Sequence, residues 1–111
     1  MEITFKSSKL RRNCTQTKAI MKTHGPERGK ILKRRLIQLQ AAPNLATMET
    51  LPGNCHELSS DRKGTLAIAL DGPYRLIFEP AEDPPPALED GGLDWDAVTD
   101  IRILEVENYH E

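Results

Sequence analysis

Cysteine is scarce in this chain: Cys14 and Cys55 stand far apart in 111 residues. Two thiols are too few and too unpatterned for a disulfide framework. With His56 and His110 they lack the close paired spacing of a zinc site, so neither a metal nor a cofactor is expected. Nothing approaches the ~18 consecutive apolar residues that a membrane helix requires, and no membrane attachment is expected. The opening residues, MEITFK, lack the apolar core of a signal peptide. The expectation is a reduced, cytoplasmic protein forming a single domain over residues 1–111, with room for one modest core.

What is present is unevenly charged. Residues 1–42 carry 11 Lys/Arg against 2 Asp/Glu, and the remainder carries 4 against 15, so +9 and −11 sum to the net −2. A basic first part suits a polyanion or an acidic partner.

Glu2 to Lys6 alternates as a strand does. Ser7 and Ser8 can cap a helix in which Leu10, Cys14, Thr17 and Met21 form one stripe. Gly25-Pro26 closes that helix and opens the next. The second helix, Pro26 to about Ala42, repeats Leu32, Leu36 and Leu39. Arg28, Lys30, Lys33, Arg34 and Arg35 fill much of its remaining surface, and Pro43 stops it. Cys55 to Leu58 reads as a short strand and Ser59 to Gly64 as a polar turn. In Thr65 to Leu70, Leu66, Ile68 and Leu70 share one face. Asp71-Gly72 signals a hairpin. In the returning strand Leu76 and Phe78 face one way and Arg75 the other.

From Glu79 to Asp100 the pattern breaks into prolines, glycines and acids with no Lys or Arg. It reads as a long exposed insertion, held at its far end by Leu93, Trp95 and Val98. Ile101 to Val106 reads as a central strand buried on both faces. The predicted fold is α+β in the order β-α-α-β-β-β-β. Two basic helices pack on one face of a mainly antiparallel, twisted sheet, and the other face stays open.

RNA can be cut without metal when its 2′-hydroxyl attacks the adjacent phosphorus. The reaction needs a base, an acid and fixed positive charge on the phosphorane. Histidine supplies the proton chemistry near neutral pH, and arginine offers a planar fork to phosphate oxygens. His24, at a helix end, reads as solvated. His56 and His110 lie at strand ends. Arg75, between apolar neighbours, must face water, a carboxylate or a ligand.

The order of LPG, His56, the DRKG turn, an alternating strand, Gly-x-x-Arg and a terminal Tyr-His resembles the plasmid-maintenance killer proteins, the HigB-like branch of the RelE/ParE toxin superfamily. The resemblance runs over nearly the whole chain. It implies a RelE-like toxin of a type II toxin–antitoxin system, acting as a ribosome-dependent mRNA endonuclease. The partners it implies are the ribosome, mRNA and a helix-turn-helix antitoxin. Carried over, His56, Arg75, Tyr109 and His110 are the candidate catalytic residues. His56 or His110 trades protons, Arg75 stabilises the phosphorane, and Tyr109 stacks on a base. Arg62 and Lys63 of the turn, with Lys30 and Arg34 of the second helix, are the candidate RNA contacts. Where the family carries an acidic residue before Tyr-His, this chain has Asn108. The alternative is a non-catalytic member of the same fold, one that blocks another target such as gyrase or only binds its antitoxin. An unrelated adaptor is a third reading.

Overall fold

A computed structural model describes residues 1–108. Ser7 caps the first helix, its hydroxyl accepting from the Leu10 N–H at 3.1 Å, and α1 spans Ser8–Thr15. It does not run on to His24. Asn13, Cys14, Thr15 and Thr17 are weak helix formers, the Thr15 hydroxyl bonds back to the Arg11 carbonyl at 2.6 Å, and Gln16 turns extended (φ −96°, ψ 125°). The predicted stripe therefore splits. Cys14 is buried, whereas Met21 is 48% exposed and Ile20 takes the inward position.

Helix α2, Thr17–Ala41, is broken at Gly25, whose φ of 79° and ψ of 174° are not helical, with Pro26 next. Across this break Ile20 meets Gly29 so closely that a Cβ there would stand 2.7 Å from the isoleucine's Cγ2. Leu32 and Leu39 are fully buried, as predicted, but Arg35 is largely buried beside them, at 9% exposure. The stripe that carries the leucines also carries this arginine. No helix among the described residues is long and apolar enough to cross a membrane.

The strands are β1 (Glu2–Phe5), β2 (His56–Glu57), β3 (Leu66–Ala69), β4 (Tyr74–Pro80) and β5 (Asp100–Asn108). They form one sheet in the order β1-β5-β4-β3-β2. β1 runs parallel to β5, and every other pairing is antiparallel. The element order and the α+β layout are as predicted. The amino group of Met1 donates to the Leu39, Gln40 and Ala42 carbonyls, joining β1 to the end of α2.

The core lies between helices and sheet: Leu32, Leu39, Leu66, Ile68, Leu76, Phe78, Ile101 and Ile103. On the other face only a small cluster forms, Leu58, Ala67 and Ile77, with Leu104 against it. β5 is central but, contrary to expectation, is not buried on both faces. Arg102 and Glu105 are exposed, because no helix among the described residues packs over that side. A register shift also interrupts β5: Phe78 pairs with Ile103 and Ile77 with Glu105, so Leu104 is an extra residue. Such a bulge reverses the in–out alternation beyond it. Val106 thus returns to the core, and Glu107 faces the uncovered side.

The insertion is not a free loop. β4 continues through Pro80, past the end of β3, where no ladder bond is asked of the proline. Beyond it, Val98 is fully buried, and Leu93 and Trp95 pack on the core. The Leu45 N–H donates to the Val98 carbonyl at 3.0 Å, and the Trp95 indole donates to Glu57 at 2.9 Å. The segment covers the sheet where the helices stop, which is how a run rich in proline and glycine stays ordered. The rest of the segment is largely exposed, its acidic tip included, where Leu88 is 49% exposed.

Candidate functional site

The uncovered face can be read from the register, because directly paired residues share a side. His56 pairs with Ala67, Ala67 with Ile77, and Ile77 with Glu105. The neighbouring row is Ala69, Arg75 and Glu107. The two predicted groups His56 and Arg75 therefore lie on one face. They are two strands and two residues apart, roughly 12 Å between Cα atoms at ordinary strand spacing.

His56 is aimed by the segment before it. Gly53 (φ 113°) and Asn54 (φ 50°) are both left-handed, and the turn they make brings the Asn54 carbonyl 2.8 Å from His56 Nδ1. A carbonyl only accepts, so Nδ1 carries a proton in this bond. The LPG turn has its own cause. Its glycine carbonyl accepts from the Ala69 N–H at 2.8 Å, while Arg35 Nε donates to the Ala69 carbonyl at 3.1 Å. A Cβ on Gly53 would stand 2.7 Å from Ile68 Cγ2 and 2.9 Å from Arg35 Nε. Only glycine fits there. Burial, with Arg34 adjacent, lowers the Arg35 pKa.

Arg75 is half-buried, and its guanidinium donates to the Gly72 and Tyr74 carbonyls at 2.8 and 2.9 Å. These bonds hold it at the hairpin without neutralising its charge. Arg62, in the short 3-10 turn Ser60–Arg62, reaches over the same face to an ion pair with Glu107. Lys63, beside it, is exposed and lines a cavity of about 280 Å³ under the insertion, with Glu57, Pro86 and Leu93. Lys30 and Arg34 are exposed on α2, which packs on the opposite side of the sheet, so the fold does not bring them to this face. Tyr109 and His110 lie outside the described residues. They follow Asn108, which pairs with Tyr74.

Sequence reasoning missed three things. Glu107 belongs to the face, and the bulge hides this from any reading of alternation. Arg28 does not join the free basic surface. It binds Asp71 at 2.9 and 3.4 Å and lies 3.3 Å above the centre of the Tyr74 ring, pinning the hairpin to α2. His24 is not solvated: its Nε2 is buried without a hydrogen-bond partner. Burial, and then the charge of Arg28, lower its pKa despite opposing effects of Asn13 and Asp71. The signal available was its position one residue before the Gly25-Pro26 break in the helix. Among the described residues no group of three His, Cys, Asp or Glu could hold a metal ion.

Comparison with solved structures places the architecture. A YoeB/ParE toxin from Agrobacterium tumefaciens superposes with a TM-score of 0.59 at 8% identity, covering 100% of both chains. The chain has the fold of the YoeB/ParE toxins. A chain of the YoeB–YefM complex from Staphylococcus aureus matches with a TM-score of 0.56 at 14% identity, and the YoeB dimer from the same organism with 0.55 at 16%. Both cover 100% of this chain and 98% of the other. No protein-family model and no curated protein sequence matches. At these identities the likeness is one of backbone.

Proposed function

We propose that the protein is a HigB-like toxin of a type II toxin–antitoxin system that cuts mRNA on the ribosome, in the cytoplasm, through attack by the RNA 2′-hydroxyl without a metal. The observation that carries this reading is the uncovered face of a sheet with the YoeB/ParE fold, where His56 and Arg75 share a side and Arg62 reaches over it. Arg75 stabilises the phosphorane, whose extra negative charge appears only as the reaction proceeds. His56 and His110 exchange the protons, and Tyr109 stacks on a base. Arg62 and Lys63 contact the RNA backbone locally, while Lys30 and Arg34 add attraction from the helix side. The YoeB–YefM complex supports an antitoxin partner, here a helix-turn-helix protein.

The test is induced expression in a bacterium. Wild-type protein is expected to arrest growth and shorten mRNA, and His56→Ala, His110→Ala or Arg75→Ala to abolish both. Intact growth and mRNA with the wild type would remove the proposal.

One observation favours a second reading, a non-catalytic member that binds a protein target. Two arginines of this face, Arg62 and Arg102, are engaged by Glu107 and Glu79, which lowers the charge available to RNA. Growth arrest that survives loss of both His56 and His110 would select it.

A further inference from the structure

Strand β2 is two residues long and stands at the edge of the sheet, so its side chains part to opposite sides of that edge. His56 pairs with Ala67 on the uncovered face. Glu57 pairs with Leu66, a core residue, and so points to the helix side. The turn that follows divides in the same way. Arg62 reaches over the uncovered face to Glu107, while Lys63 lines the cavity under the insertion together with Glu57. Two pairs of chain neighbours therefore straddle one edge, each with one member at the proposed RNA site and one at the cavity.

The walls of that cavity are held in place. Leu66, Pro80, Pro86 and Leu93 give it apolar sides. Its outer wall is a small hairpin of the insertion, in which Ala87 bridges Leu93, the Leu88 N–H donates to the Gly92 carbonyl at 2.7 Å and the Asp94 N–H to the Pro86 carbonyl at 2.9 Å. The Thr65 hydroxyl donates to the Arg62 carbonyl at 2.7 Å and steadies the turn that carries Lys63. The Trp95 indole donates to Glu57 Oε2 at 2.9 Å and orients the carboxylate. At about 280 Å³ the space is at the small end of ligand sites, which run from ~300 to ~1,000 Å³, and it suits one flat ring system.

We propose that this cavity receives a guanine base of the bound RNA, an inference that rests on the nuclease reading above. The occupant must be apolar on its faces to lie between proline and leucine. Its edge must offer donors to Glu57 and an acceptor to Lys63. Of the four RNA bases, guanine alone sets two donors side by side, N1–H and the N2 amino group, which a carboxylate takes together. Its O6 stands next to them for the lysine ammonium. Adenine and cytosine place a ring-nitrogen acceptor beside the amino group, which a carboxylate repels, and uracil has one donor between two carbonyls. Reading an unpaired base by its edge is the usual route to sequence-specific RNA binding. The strand that crosses His56 and Arg62 thus turns over the β2 edge and seats a guanine behind it, at a fixed spacing from the cut. Glu57 and Lys63 set specificity and take no part in bond breaking.

The experiment follows the indole N–H of Trp95, the one tryptophan of the chain, by NMR as GMP, IMP or AMP is added to the whole protein. IMP is GMP without the N2 amino group. GMP is expected to shift the indole signal, because it binds the carboxylate that this N–H contacts. It should bind about tenfold or more tightly than IMP or AMP, in the range of a good bidentate base contact. Glu57→Gln should abolish the preference, and Lys63→Met should weaken GMP binding yet keep its advantage over IMP. Thermal melts show whether the two variants fold as the wild type does, and the comparison of GMP with IMP needs no variant. On programmed ribosomes, wild-type cuts should fall at one spacing from a guanine, and Glu57→Gln should still cut but lose that spacing. Equal binding of the three nucleotides, or a Trp95 signal that GMP leaves unmoved, overturns the assignment. A wild type that selects GMP but cuts no mRNA overturns the nuclease reading and leaves the guanine site standing.

Discussion

Replacing Gly53 by alanine should unfold this protein more readily than the same change at any other glycine of left-handed conformation. Its φ is 113°, outside the left-handed well that alanine can enter, and such a backbone costs about 1–3 kcal/mol for a residue with a side chain. The new methyl group would stand 2.7 Å from Ile68 Cγ2 and 2.9 Å from Arg35 Nε. Neither neighbour can retreat cheaply. Ile68 is fully buried, and Arg35 is tied by Nε to the Ala69 carbonyl. Overpacking of this kind adds about 1–3 kcal/mol. The stiffer unfolded chain returns less than about 1 kcal/mol. The net loss is about 2–5 kcal/mol. With an unfolding entropy of about 2.1 cal/mol/K per residue, that lowers the melting temperature by roughly 10–20 °C. Gly72→Ala is the control. Its φ is 52° with nothing within 4 Å of the new Cβ, so it should cost only about 1–2 kcal/mol. Urea titrations of both variants with matching m-values decide the matter. If Gly53→Ala is as mild as Gly72→Ala, the close approach of Arg35 and Ile68 does not shape the LPG turn.

Other outcomes follow from the same contacts. The pKa of His24 is lowered from 6.5 in the folded state, so the unfolded chain binds the proton first. Stability should therefore fall as the pH drops below about 6.5, levelling off below the folded pKa, and His24→Gln should flatten that slope in melts taken between pH 7 and 5. The Cys55 thiol is pushed up to about 12 by burial, with a smaller push from Glu49. Alkylation by iodoacetamide at pH 8 should therefore be slow in the native protein and quicken on unfolding. Val98→Ala should destabilise by about 1–3 kcal/mol, since it empties a fully buried site that holds the insertion. Shortening the exposed tip around Leu88 should change stability by less than about 0.5 kcal/mol. Equal losses for those last two, measured by chemical unfolding, would contradict the division between a packed base and a free tip.

The layout was legible because periodicity reports burial directly. The leucines of α2, the alternation of β3 and the Asp71-Gly72 turn each carry their own structural signal, and together they fix helices on one side of a sheet. Arg75 was legible for the same reason, because an arginine between core residues has one way to face. Other residues were not, and each has a local cause. Arg35 shares the spacing of a surface lysine, and its burial depends on a carbonyl of β3 that lies 34 residues on. The end of α1 depends on weak propensities around Gln16, at Asn13, Cys14, Thr15 and Thr17, that a longer apolar stripe outvotes on paper. Pro80 reads as a strand breaker only if β3 is assumed to reach it. The apolar anchors of the proline-rich segment, Leu93, Trp95 and Val98, were legible, but not their partners, Glu57 for Trp95 and the Leu45 N–H for Val98.

The bulge at Leu104 also bears on how this strand can change. Along β5, Ile101, Ile103, Glu105 and Glu107 share odd numbering, so strict alternation would drive both glutamates into the oil between sheet and helices. One additional residue spares them. Removing Leu104 would join Ile103 to Glu105 in plain alternation with the same partners on β4, so Val106 would stay inward and both acids outward, and only the local twist of the bulge would go. The strand can thus lose the bulge and its extra residue together, and a chain one residue shorter there would keep the same face with the same amino-acid pattern.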